Sequence, residues 1–453
     1  MFSVDEIIQA TRGRLVQGRL GDKLTGISTD SRTFKSHEAF LALPGKNFDG
    51  HDFIAQAIKL KAQCLIVEKI PGFFIPSCVA VIKVKNATLA LGDLARFQRE
   101  KINLPVIAVT GSNGKTTTKE MIARVLSAQT CVLKNEGTKN NQIGLAQTLI
   151  SLAKQDKIAV VEIGTNHFGE VDYLAKIARP NIGVVTNVGA SHLEFLKDLK
   201  GVAREKGALL SNLKTPAVAL LNADDSAYDS LIKRLTKSQR YFSFGINKKS
   251  DFRASGIKLI NDCIEFQVNS KFNFRLSTLG RHNVYNALVA IAIGRIFGLS
   301  YPAMRVRLAG FKFPQGRLNF IKLKGLRFID DTYNANPFSL NAALVALAQA
   351  DCLGRRILIM GDMLELGKQK ELLHRQIAWS ITNTCDRLIA VGDLAKITAI
   401  AAQKCGLPAA HIFCCAHASA ARDLLFKKIQ PKADDLILVK GSRSMRMEKV
   451  LGV

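Results

Sequence analysis

The sequence predicts an α/β protein of three domains. These are a small mixed α/β domain at the N-terminus, a central domain on a parallel sheet with an antiparallel insert, and a C-terminal Rossmann-like, doubly wound domain. Three observations predict this. Short apolar segments alternate with helix-length stretches from residue 87 onward, the pattern of parallel strands buried on both faces. Between 252 and 279 that pattern gives way to period-two segments around an Asn261-Asp262 turn. At 453 residues the chain is also longer than a single core supports. The boundaries fall near 85 and 312, giving domains over 1–85, 86–312 and 313–453.

Taken in order, Ser3 and Glu6 are spaced as a capping box and open a first helix. Short apolar segments and turn-rich loops follow, including 18–26 and 43–50. A helix over 87–100 begins the central region, whose strands are expected at 106–109, 158–163, 182–187 and 217–222. Ligands of such sheets bind beyond the carboxyl ends of the strands, which places Thr110, Glu162, Asn187 and Asn222 along one edge. Gly280 opens an apolar helix through Phe297. Phe313-Pro-Gln-Gly316 reads as a hinge, about which the third region closes. Beyond it, strands at 326–329, 356–360, 388–391, 412–414 and 436–439 alternate with helices. No G-x-G-x-x-G follows the first of them, so a dinucleotide site is not supported.

Composition narrows the class. The chain is 47% hydrophobic and 22% charged, as an ordinary globular protein is. No apolar run reaches membrane-spanning length, and the N-terminus lacks the pattern of a signal peptide. Nine cysteines without C-x-x-C or Cys/His metal spacing point to reduced thiols and a cytoplasmic protein. The net charge of +27 invites a nucleic-acid reading. The basic residues are dispersed, however, with no interleaved aromatics, so a solvated surface attracting small polyanions is preferred.

The chemistry begins at Thr110-Gly-Ser-Asn-Gly-Lys-Thr-Thr117. An apolar strand runs into this small-residue loop and a helix follows, the arrangement by which backbone N–H groups cradle nucleotide phosphates. The central domain is therefore of the P-loop type. Thr110, Gly111, Ser112, Asn113, Gly114, Lys115, Thr116 and Thr117 form the expected nucleotide-phosphate site, with Lys115 neutralising charge and a hydroxyl holding Mg²⁺. Only the second half of the common G-x-x-x-x-G-K-[ST] pattern matches, because Val109 stands in place of its first glycine. Glu162 ends a very apolar strand and suits Mg²⁺, which favours one or two carboxylates beside phosphate oxygens. A capped strand-end glutamate is the plainer alternative. His192 follows the strand expected at 182–187, and Lys206 lies on an apparent helix. Composition alone would make Lys206 a surface lysine.

These motifs together resemble the Mur ligases of peptidoglycan synthesis, phosphate-loop departure included. The resemblance covers nearly the whole chain. It implies that Lys206, in Arg204-Glu-Lys-Gly207, is carbamylated by CO₂ and joins Thr116, Glu162 and His192 in holding two Mg²⁺ ions. Lys115, Glu162, His192 and Lys206 become the catalytic set. Gly280-Arg-His-Asn-Val-Tyr-Asn286 is similar to the segment whose asparagines contact adenine, implicating Asn283 and Asn286, with Arg317 and Asp331 also reaching the nucleotide. Ser31, Arg32, Asn47, Asp49, Gly50 and His51 resemble uridine-nucleotide recognition segments. Asn140 and Asn141 resemble an asparagine pair at the nucleotide sugar, and Asn166 joins this substrate set. Asp330-Asp-Thr-Tyr-Asn-Ala-Asn-Pro337 and Met360-Gly-Asp-Met-Leu-Glu-Leu-Gly367 resemble the family member that adds D-alanyl-D-alanine to UDP-N-acetylmuramoyl-tripeptide. This implies that Tyr333, Asn334, Asn336, Lys440 and Arg443 stand near the acceptor. The expected activity is ATP-driven amide formation through an acyl phosphate, by a monomer without nucleic-acid partners. A folylpolyglutamate ligase, with a similar phosphate loop, is the alternative.

Overall fold

The computed structural model describes residues 2–45 and 47–452, and the chain divides into two compact units. The first comprises Met1–Ala108, Cys131–Ile163 and Asp172–Asn181; the second comprises Val109–Thr130, Gly164–Val171 and Ile182–Val453. The α/β class holds in both.

In the first unit, the helix Val4–Thr11 starts at the capping box of Ser3 and Glu6, as its sequence predicts. A five-stranded sheet follows in the spatial order Arg14–Gln17, Ala80–Lys83, Cys64–Val67, Ala39–Leu41, Ile27–Ser28. The first pairing is antiparallel and the rest are parallel. Phe34, Phe40, Ile54, Leu65 and Val81 form its core. The helix Ala87–Ile102 is capped by Asn86, ends at left-handed Asn103 and packs on the helix Gln142–Ile150. Nearby, Ile158–Glu162 pairs in parallel with Val132–Lys134.

In the second unit, Ile182–Val185, Val218–Asn222 and Arg240–Gly245 lie side by side in parallel. Phe252–Ile260, Cys263–Val268 and Phe272–Leu276 continue the sheet as an antiparallel meander. Asn261 and Asp262 both adopt left-handed backbone (φ 48° and 58°), the geometry of a two-residue hairpin turn. The apolar helix Asn283–Ile296 is buried along most of its length and packs on Lys115–Leu126.

The third sheet runs Asn319–Leu323, Leu326–Asp331, Leu436–Lys440, Arg356–Gly361, Arg387–Val391, Ile412–Cys415. It is parallel except for its first strand, and apolar clusters cover both faces. The five strands expected from sequence are present within a residue or two. The leading strand Asn319–Leu323 was not expected. Among the described residues, no helix is long and apolar enough to cross a membrane.

Candidate active site

The strand Val106–Thr110 is buried throughout and delivers the chain into the phosphate loop. Two glycines there are obligatory. A Cβ on Gly111 (φ 150°) would sit 1.9 Å from Oγ1 of Thr186, and one on Gly114 (φ 80°) would sit 2.5 Å from Oδ1 of Asn286. The loop is held by the neighbouring strand end. Asn113 N–H donates to Oδ1 of Asn187 at 2.9 Å, and Thr186 Oγ1 donates to the Asn113 carbonyl at 2.6 Å. Ser112 Oγ donates to the Gly189 carbonyl and accepts from Ser191 Oγ, each at 2.9 Å. The helix Lys115–Leu126 begins at Gly114, which has no side chain to cap its first-turn N–H groups. Nδ2 of Asn113 is buried with no partner among the described residues, a donor that fits a phosphate oxygen. Lys115 Nζ bonds its own loop, reaching the Gly111 carbonyl at 2.9 Å. Thr116 and Thr117 are buried in the first turn.

Lys206 lies on the helix Leu199–Ser211 and is 1% exposed. Its pKa is pushed well below that of an ordinary lysine, by burial first and by the Lys115 ammonium second, against the pull of Glu205. Disfavouring the ammonium in this way makes the nucleophilic free amine easier to reach. The adjacent Glu205 carboxylate accepts from the N–H groups of Gly169 and Val171, each at 2.8 Å. It thereby fixes the loop that carries Asn166, whose own N–H donates to Glu170 at 2.6 Å. His192, in left-handed backbone (φ 52°), places Nδ1 2.6 Å from Oε2 of Glu365. That bond draws the Glu365 carboxyl below its usual range.

Asp331 and Lys440 form a buried pair at 2.5 Å, 8% and 2% exposed, at paired positions of adjacent strands. Lys440 also donates to the Asn334 carbonyl at 2.9 Å, and Leu318 N–H donates to Asp331 at 3.2 Å. Arg317 packs its guanidinium 3.7 Å from the Tyr333 ring centroid and donates to Thr116 Oγ1 at 3.3 Å. Asn336 caps the helix Pro337–Gln349 and donates through Nδ2 to Oδ1 of Asn113 at 2.9 Å. Arg443 donates its N–H to Asn334 Oδ1 and pairs with Glu448. Asn283 and Asn286, expected at adenine, are buried and bonded to each other, with Asn283 donating to Thr278 and Asn286 accepting from Thr118.

Within the first unit, Glu162 is buried and accepts from Asn140 Nδ2 at 2.7 Å, while Asn141 caps the helix Gln142–Ile150. Asp49 accepts from the backbone and Nδ1 of His51, whose Nε2 accepts from the Glu68 N–H at 3.1 Å. His51 thus bridges two loops. Gly50 has no room for a Cβ, since one would stand 2.5 Å from the Leu43 nitrogen. Ser31 is buried, whereas Arg32 is exposed and paired with Asp30. Asn47 is exposed.

Sequence reasoning missed three residues. Glu205 and Glu365 lie inside motifs it quoted, but their partners are distant in sequence. His282, immediately before Asn283, carries no signal of its own in the sequence. Burial, reinforced by Lys440 and Arg317, pulls its pKa down to about 4.

An uncapped helix behind a glycine loop, with lysines converging on it, defines a phosphate-binding α/β protein. Residues 109–294 match the Mur ligase middle domain, 316–443 the Mur ligase, glutamate ligase domain, and 23–99 the Mur ligase family, catalytic domain. The chain belongs to the Mur ligase family. It is 33% identical to the UDP-N-acetylmuramoyl-tripeptide--D-alanyl-D-alanine ligase of Bacillus subtilis (strain 168), covering 99% of this chain and 97% of that one. It is 35% identical to the enzyme of the same name from Escherichia coli (strain K12), over 94% of this chain and 93% of that one. Among solved structures, a MurF from Acinetobacter baumannii superposes with a TM-score of 0.90 at 33% identity, covering 100% and 98% of the two chains. A MurF ligase from Thermotoga maritima in complex with ADP superposes at 0.83 with 27% identity, covering 94% and 96%.

Proposed function

We propose that this chain is the ATP-dependent ligase that joins D-alanyl-D-alanine to UDP-N-acetylmuramoyl-tripeptide, acting as a cytoplasmic monomer. The observation that carries the reading is the reach of its similarity to ligases of that name, at 33–35% identity over 94–99% of the chain. A folylpolyglutamate synthase from Mycobacterium tuberculosis shares the fold at 17% identity, which supports no activity. In this reading residues 1–85 bind the UDP-sugar, 86–312 bind ATP and 313–453 bind the dipeptide.

A carboxylate is a poor acyl donor, so its oxygen first attacks the γ-phosphorus of ATP, releasing ADP and giving an acyl phosphate. The dipeptide amine then attacks the acyl carbon, loses a proton, and phosphate departs with the C–O bond. The loop from Gly111 to Thr117 receives the nucleotide phosphates on backbone N–H groups. Lys115 exchanges its two loop carbonyls for phosphate oxygens, and Asn113 offers the N–H groups of its Nδ2. Thr110 ends the strand beneath them. Arg317 and Asp331 stand on the nucleotide side, with Asn283 and Asn286 setting the helix start behind Gly114. Tyr333, Asn334, Asn336, Lys440 and Arg443 form the acceptor side. Ser31, Arg32, Asn47, Asp49, Gly50, His51, Asn140, Asn141 and Asn166 serve the UDP-sugar.

Among the described residues no three His, Cys, Asp or Glu side chains cluster as a ready-made metal cage. This suits Mg²⁺, which needs few protein ligands when phosphates supply the rest. In the second unit Thr116, His192 and Lys206 would hold it, and Glu162 is the first unit's donor of that kind. Bound Mg²⁺ would neutralise charge on the transferring phosphoryl group. Lys206 becomes an oxygen donor by attacking CO₂ through its neutral nitrogen, forming an N–C bond and releasing a proton.

The test is phosphate release from ATP and Mg²⁺ with UDP-N-acetylmuramoyl-tripeptide, with and without D-Ala-D-Ala. The expected result is release requiring both, with a product heavier by the dipeptide less water. Release driven instead by folate plus glutamate would refute the assignment.

A further inference from the structure

Glu365 belongs to the third region, yet it touches the central one at His192. Its loop is held at three points. Met363 N–H donates to Nε2 of buried His374 at 3.1 Å, Leu364 N–H to Ser442 Oγ at 2.8 Å, and Glu194 N–H to the Glu365 carbonyl at 3.3 Å. Gly367 is packed so closely that a Cβ would stand 3.0 Å from Cα of Glu194. At the contact, both His192 (φ 52°) and Glu365 (φ 61°) take left-handed backbone, a conformation that side-chain-bearing residues rarely keep. The contact between them is partly exposed, with side-chain exposures of 19% and 46%, so it adds little to stability. Two strained residues meeting through a weakly stabilising contact call for another reason. An ionised carboxylate only accepts, so the proton of the 2.6 Å bond sits on Nδ1 of His192. In the neutral ring, Nε2 is then left bare.

We infer that Glu365 is a positioning residue: reaching from the third region, it fixes the tautomer and the ring of His192 so that Nε2 is presented to the Mg²⁺–phosphate site. Carboxylates behind ligating histidines do this elsewhere in metal sites. The consequence here is coupling. The His192 donor is correctly set only when the region that carries the acceptor is docked, so phosphoryl transfer is tied to readiness for the amine. The inference rests on the ligase reading above.

Histidine ¹⁵N labelling of the full chain, with the His192 signal assigned by His192→Gln, reads the tautomer directly and needs no turnover. Wild type should show Nδ1 protonated and Nε2 bare. Glu365→Gln, whose amide oxygen still accepts, should keep that state, whereas Glu365→Ala should give a tautomer mixture. In the ligase assay Glu365→Ala should lower kcat about 10- to 100-fold with the dipeptide KM little changed, and Glu365→Gln should recover most of it. Glu365→Gly relieves the left-handed strain. It should melt no lower than Glu365→Ala and lose the same activity. The idea is overturned if Glu365→Ala keeps the wild-type tautomer, if Glu365→Gln loses as much as Glu365→Ala, or if Glu365→Gly restores kcat. If the wild type ligates nothing, the ligase reading fails while the tautomer spectra still judge Glu365.

Discussion

Asn336 does two things with one amide: its Oδ1 accepts from the Ser339 N–H and caps a helix, while its Nδ2 donates to Oδ1 of Asn113 in the phosphate loop at 2.9 Å. The helix proposed for the acceptor side is thereby joined to the loop expected to hold ATP. The two roles separate by substitution. Asn336→Ser keeps a capping oxygen but is too short to reach Asn113, so thermal stability should stay near wild type. Loss of one hydrogen bond, about 0.5–1.5 kcal/mol, should lower kcat/KM for ATP about three- to tenfold. Asn336→Ala removes the cap as well and should cost about 1 kcal/mol of stability. Unchanged ATP kinetics in Asn336→Ser would reduce the contact to packing.

Lys206 makes folding pH-dependent in a direction that follows from its burial. Its folded pKa lies well below its unfolded one, so the unfolded chain binds the extra proton between the two. Stability is therefore depressed below the folded pKa and regained as pH rises toward the ordinary lysine range. In CO₂-free buffer near pH 7, Lys206→Met should melt higher than wild type, by about 2–4 °C for each kcal/mol relieved. The gap should narrow as pH climbs toward 10. Bicarbonate should raise wild-type stability and activity and leave Lys206→Met unaffected. A melting difference independent of pH would contradict this account.

Much of this architecture is readable in the chain, and the reason is local. Buried parallel strands such as Leu436–Lys440 are continuous apolar runs, and the Asn261-Asp262 turn is specified by two residues that tolerate left-handed backbone. The leading strand Asn319–Leu323 escaped because it is an edge strand, half polar and tied by a hairpin at Lys324-Gly325 rather than by its own composition. The phosphate loop is legible for the same local reason, since its glycines are required within a few residues. What cannot be read is pairing across the chain. Glu365 lies 173 residues from His192, and Lys440 lies 109 residues from Asp331. Nor does the sequence show that Asn283 and Asn286 are bonded to one another, or that His51 bridges two loops.

His282 gives a second pH dependence of the same origin, in a lower pH window. Its folded pKa of about 4 lies below the ordinary 6.5, because burial and the charges of Lys440 and Arg317 disfavour the imidazolium. Between those values the unfolded chain takes up a proton that the folded chain refuses. Stability contributed by neutral His282 is thus intact above pH 6.5 and declines as pH falls toward 4. Urea midpoints measured at pH 7 and pH 5 should differ by less in His282→Gln than in wild type. Equal differences in the two proteins would remove His282 from the acid response.

The Asp331–Lys440 pair supplies the last and sharpest test, because both partners are buried and neither has water to fall back on. Burial pushes the Asp331 carboxyl up and the Lys440 ammonium down, each charge being kept by the other at 2.5 Å. Removing one partner strands the other. Lys440→Met should therefore cost about 3–5 kcal/mol in urea unfolding, more than an exposed pair would. Replacing both, as Asp331→Leu with Lys440→Met, should recover much of that loss, since an apolar pair leaves no uncompensated charge. Activity should not recover with it: the double variant lacks the carboxylate proposed for the nucleotide side, and Lys440 no longer holds the Asn334 carbonyl at 2.9 Å. A double variant that is stable and fully active would show that the pair serves only the fold. One no more stable than Lys440→Met would show that Asp331 matters through the Leu318 N–H rather than through the lysine.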